Sequence, residues 1–154
     1  MVEIDKSCGV DFSDGELGDL ERYSITLRSG KKRDAIQLAN SWSAHVKKLD
    51  SDRGLPQSDH SVWNEFDLCA AMSIREMLNS AIEQIPDSLA KKVSIYVSGA
   101  DERFRSMTVA DSGKRMAAIA EIDLEGRGWW WFRVPDSGPI VEDLARWSKY
   151  DEPA

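Results

Sequence analysis

Cysteine and histidine are scarce in this chain, with two of each in 154 residues. Cys8 and Cys69 are too few and too far apart for a disulfide framework or a zinc site, so a reducing cytoplasm is the expected compartment. No apolar run approaches the roughly 20 residues of a membrane span, so no membrane partner is expected. The opening "MVEIDKSCGVDF" has no apolar stretch, and a secretory leader is not expected either. A glycine-rich phosphate loop is also missing, because "GRG" at 126–128 has neither the lysine nor the following helix of one. Basic charge is in deficit: 20 Lys and Arg stand against 27 Asp and Glu, for a net charge of −7. Such a surface repels phosphate backbones, so nucleic acid is excluded as an expected direct ligand. The one compact basic run, "GKKR" at 30–33, reads as a turn leading into a helix. Nothing calls for a cofactor.

What is present is globular. Hydrophobic residues make up 42% and charged residues 31%, the balance of one domain over 1–154 with a real core. Residues 1–21 read as a loop-like acidic segment, with Asp11, Asp14, Glu16, Asp19 and Glu21 and no cation between 11 and 21. A calcium loop does not fit: Val10 stands where a carboxylate is needed five residues before Gly15.

Periodicity then sketches the elements. Tyr23, Ile25 and Leu27 alternate with polar residues, which predicts a strand over 22–29. Ala35, Leu38, Ala39, Trp42, Val46 and Leu49 share one face of a helix over 33–49. After a polar loop, a longer helix over 62–85 has its core stripe at Phe66, Ala70, Ile74, Met77, Leu78, Ala81 and Ile85, joined by Trp63. Its N-cap is Ser61 or Asp59. Leu68 and Met72 fall off that stripe, leaving either a second buried face or a small exposed patch. Val93, Ile95 and Val97 alternate as a strand over 91–99, and Asp101 caps a short turn over 100–107. The segment 113–126 fits a strand or a helix, with the strand preferred. A strand follows through the tryptophans, and a helix over 137–150 ends in a frayed tail at 151–154. The fold class is α+β: a small mixed or antiparallel sheet of about four strands, with three main helices packed on it.

The run "GRGWWWFRVPDSGP" (126–139) raises the functional question. On a strand, Trp129, Trp131 and Arg133 share one face, while Trp130, Phe132 and Val134 share the other. Core on both faces is the plainer expectation for a central strand. If the first face is open, its Trp and Arg residues are the types enriched at protein-binding hot spots. Open, coplanar Trp129 and Trp131 would instead suit a carbohydrate platform, or a second copy of the chain in a homodimer.

Catalytic signals are weak. His45 flanks the first helix, His60 sits in a loop, and Cys69 falls near a core stripe where a thiol behaves as a small hydrophobe. The best enzyme candidate is a strand-end cluster of Asp101, Glu102, Arg103 and Arg105, joined by His60, for which capping and surface ion pairs are the simpler account. The favoured expectation is a non-enzymatic binding module that masks a basic protein partner. Asp14, Glu16, Asp19 and Glu21 would steer that partner, and Trp129, Trp131 and Arg133 would anchor it. Bacterial immunity proteins, which block basic nuclease-type toxins, fit this physical description as an analogy of type, without a shared motif.

Overall fold

The computed structural model describes residues 4–5 and 8–150. Among them the chain forms, in order, α1 (Asp14–Arg22), β1 (Ile25–Thr26), β2 (Lys32–Arg33), α2 (Ala35–Asp52), α3 (Glu65–Gln84), α4 (Asp87–Ser106), β3 (Thr108–Ala110), α5 (Lys114–Ala120), β4 (Arg133–Pro135) and α6 (Ile140–Ala145). The strands make two separate antiparallel pairs, β1 with β2 and β3 with β4, with Val109 opposite Val134 in the second. The expected four-stranded sheet with three helices on it is therefore not formed, and the protein is mostly helical.

Local chemistry explains the difference. The acidic segment is not all loop: Ser13 and Glu16 close a reciprocal capping box that starts α1, each satisfying a backbone N–H that the first turn leaves unpaired. Asp34 and Gln37 do the same for α2. The six apolar positions expected on one face of α2 are all buried.

The expected strand over 91–99 lies inside α4. Leu89, Val93, Tyr96, Val97, Asp101 and Phe104 are its buried residues, spaced three and four apart, while Ile95 is exposed. The alternation of 93, 95 and 97 was a coincidence of a helix that carries one outward isoleucine. The segment 113–126 forms the short helix α5 rather than the preferred strand. The tryptophans form a single 3₁₀ turn, Trp129–Phe132, not a strand. The C-terminal helix is shorter than 137–150, being α6 and a 3₁₀ turn at Ser148–Tyr150. The tail at 151–154 lies outside the described residues.

On α3 the expected face is turned. The cap is Asn64, whose side chain accepts from the Phe66 and Asp67 N–H groups. Leu68, Ala71, Met72, Arg75, Leu78, Ala81 and Ile85 are buried, whereas Phe66 is 56% exposed and Ala70 is exposed. The two residues set aside, Leu68 and Met72, are core. No helix among the described residues is long and apolar enough to cross a membrane.

The chain divides into two compact units, Met1–Ala44 with Ile74–Glu102 and His45–Ser73 with Arg103–Ala154. In the first, Tyr96 fastens the N-terminal segment: its hydroxyl donates to Asn40 at 2.6 Å and accepts from the Asp5 N–H at 2.9 Å, and Phe12 meets its ring edge-on. Lys92 adds an ion pair to Glu16.

In the second unit, Arg53 ties the loop at 136–138 down by donating to Asp136 and Ser137 while also pairing with Asp50. Gly138 has φ +94°, and a Cβ there would sit 2.7 Å from the Arg53 Cα, so only glycine allows that approach.

Candidate functional site

Asp101, the centre of the enzyme candidate, faces inward from α4 and is 9% exposed. Its Oδ1 accepts from the Trp42 indole N–H at 2.8 Å and from Arg75 Nε at 2.9 Å, and its Oδ2 accepts from Arg75 Nη2 at 2.9 Å. Arg75, 6% exposed, thus meets the carboxylate in the two-pronged geometry that makes an arginine pair strong. Both carboxylate oxygens are occupied by protein donors. The arrangement joins α2, α3 and α4 within the first unit, with Asp101 as a buried acceptor for both Trp42 and Arg75.

The other members of that cluster have separate engagements. Successive residues of a helix point about 100° apart, so Glu102 is exposed where Asp101 is buried. Arg103 Nε donates to Asp50 at 2.8 Å, and Arg105 stacks on Trp129. His60 is an exposed loop residue. The Arg103 guanidinium, with Arg53 also contributing, holds the Asp50 carboxyl below the usual range. Burial pushes the Cys69 thiol up to about 11, with Glu65 adding to the shift, so it is protonated at neutral pH and is no ready nucleophile. Among the described residues no three His, Cys, Asp or Glu side chains gather as a metal site.

The acidic residues separate into two kinds. Glu16 is committed to its cap and to Lys92; the Ser13 backbone N–H, then Lys92, lowers its pKa. Asp19 is paired with Arg22. Asp14 and Glu21 are exposed, and no cation among the described residues reaches them. Each stands about one turn of α1 from Leu17, on opposite sides of it, and together they line a cleft of about 740 Å³ with Leu17, Gly18, Lys32, Asp34, Ile36 and Gln37. Every one of these residues belongs to the first unit.

The tryptophan run is mostly core. Trp131 is fully buried and Trp130 nearly so, which removes Trp131 from any partner surface and removes the two-tryptophan carbohydrate platform with it. Gly128 shows why the run can fold so tightly: a Cβ there would fall 2.1 Å from the Trp130 ring. In a 3₁₀ turn three residues complete a circuit, so consecutive tryptophans fan out instead of alternating. Trp129 alone stays half-exposed. Arg133, also half-buried, donates to the Thr108 hydroxyl and carbonyl.

Sequence reasoning missed Arg75 entirely. A signal was present, since it is the sole cation of α3 and sits at heptad spacing from Leu68. It also missed that Arg105 belongs with Trp129 rather than with Asp101. No protein-family model, curated protein or solved structure matches this chain.

Proposed function

We propose that this chain is a non-enzymatic protein-binding module that masks a basic protein partner, and that the cleft beside α1 is where it holds that partner. One observation carries the reading. Asp14 and Glu21 present uncompensated carboxylates on the rim of a cleft of about 740 Å³ that also has apolar lining from Leu17 and Ile36. Acidic rims speed the encounter with a basic surface, and a partly apolar floor supplies the burial that slows release. Covering the partner's cations denies them to whatever anionic target they serve. The free thiols of Cys8 and Cys69 suit a reducing cytoplasm as its place of action.

The test uses the wild-type chain and an Asp14→Asn, Glu21→Gln variant as bait in lysate of the native host, after circular dichroism shows that both are folded. A basic protein retained by wild type, lost by the variant and released by rising salt is the expected result. Retention of the same proteins by both baits would remove the cleft, and with it the reading.

A further inference from the structure

The half-exposed residue of the tryptophan run belongs to a second surface, in the second unit and of opposite charge. The Arg105 guanidinium carbon lies 3.8 Å from the centre of the Trp129 ring. Trp129 is braced in turn by Phe104, with ring centres 6.1 Å apart, and by Trp130, edge-on at 5.9 Å. Arg133 stands beside Arg105: its Nη2 donates to the Arg105 carbonyl at 3.2 Å and to the Thr108 carbonyl at 2.9 Å, while its Nε donates to the Thr108 hydroxyl at 2.8 Å.

Both guanidiniums are therefore held in place, and both by neutral groups. Among the described residues neither has a carboxylate within ion-pair reach, whereas Arg53, Arg75, Arg103, Arg115 and Arg146 each have one. In a chain of net charge −7, with acids in excess, Arg105 and Arg133 thus keep a positive charge that no described carboxylate neutralises.

We propose that Arg105, Arg133 and Trp129 form a recognition surface for a carboxylate-bearing segment of a protein partner, with an Asp or Glu side chain taken in the Arg105 fork. Stacking uses the face of a guanidinium and hydrogen bonding uses its edge, so Arg105 can stay on Trp129 while its N–H groups grip a carboxylate. Holding the side chain on the ring beforehand reduces the rotamer entropy lost on binding. Trp and Arg together are also the residue types that dominate protein interfaces. A polyanion such as nucleic acid fits less well, because its affinity grows with the number of phosphates neutralised and this surface offers two guanidiniums in a chain of net charge −7. The surface goes beyond the cleft reading and does not depend on it, since it lies in the other unit and selects the other sign of charge.

The experiment titrates the folded, full-length chain with hexaglutamate at low ionic strength, following arginine Nε–H and tryptophan indole N–H resonances by NMR. Hexalysine and an oligothymidylate serve as separate arms. The expected result is a saturable shift of the Arg105 and Trp129 signals with hexaglutamate, weakened about tenfold or more in Arg105→Gln, the scale of losing a charge-assisted hydrogen bond. Arg105→Lys, which keeps the charge but loses the fork, weakens it as well. Arg28→Gln, an exposed control, leaves it unchanged. The Asp14→Asn, Glu21→Gln variant also retains hexaglutamate binding, so failure of the cleft reading and failure of this one are distinguishable. No saturable shift, an equal loss in Arg28→Gln, unchanged binding in Arg105→Gln, or equal binding of oligothymidylate would each overturn the proposal. Arg105 is exposed, so its substitution is not expected to unfold the chain, and the wild-type shift pattern is readable even if it does.

Discussion

Asp101 and Arg75 together form a neutral pair inside the first unit, and each is a liability without the other. Removing one partner of a buried pair leaves an uncompensated charge, at a cost of about 3–5 kcal/mol. Asp101→Ala should therefore lower stability by about that much, read as a drop in the urea midpoint with the slope unchanged. Replacing both partners, as Arg75→Met with Asp101→Leu, should recover most of the loss, because the desolvation cost of both charges disappears. The residual deficit belongs to Trp42, whose indole N–H would lose its acceptor. A double variant as unstable as the single one would show that the pair is not what these positions contribute. The same residues explain a misreading. Arg75 sits mid-stripe on the buried face of α3, between Leu68 and Met72 on one side and Leu78 on the other, a cation inside the face that the sequence reading set aside.

At the scale of elements, α3 has two apolar stripes and only packing chooses between them. Phe66, Ala70, Ile74 and Met77 make one, and Leu68, Ala71, Met72 and Leu78 make the other. Periodicity alone cannot rank two stripes of similar apolar content. The difference is measurable. Leu68→Ala, at a site with no exposure, should cost about 2–5 kcal/mol, whereas Phe66→Ala should cost under about 1 kcal/mol because its ring already faces water. Parallel urea curves on the two variants decide the matter, and a reversed order would put the core on the other face. On α4 the ambiguity was of type rather than of face. Three β-branched residues in alternation imitate a strand, yet the spacing of Leu89, Val93, Tyr96, Val97 and Phe104 is helical, and Pro86 supplies the carbonyl that starts the helix at Ala90.

For the molecule as a whole, pH acts through carboxylates that the fold holds ionised. Arg103 and then Arg53 lower Asp50, the Ser13 backbone N–H and Lys92 lower Glu16, and the Ser61 hydroxyl and N–H lower Asp59. A group whose folded pKa lies below its unfolded value adds stability that is complete above the unfolded value and is lost as pH falls towards the folded one. The urea midpoint should thus hold steady from neutral pH down to about 5 and decline below about 4. Asp50→Asn should make that acid-side decline shallower. An unchanged slope would assign the decline to other groups. Both units carry a net excess of acids, so a general rise in positive charge at low pH accompanies these specific losses and is the part that salt screens.

The sequence by itself determined the matters that depend on composition and on one unambiguous period. It determined the net acidity, the amphipathic face of α2, and the absence of a recognisable catalytic motif. Tertiary structure decided what depends on partners distant in the chain. Asp101 reads as a surface cap until Arg75, 26 positions away, and Trp42, 59 positions away, are placed against it. Arg105 reads as one of an acid–base cluster until Trp129 is placed under it. The physical reason is the same in both cases. A charged side chain can be kept inside, or fixed on the surface, by a counter-ion, an indole face or a carbonyl, and the local sequence does not say which of these the fold will bring to it.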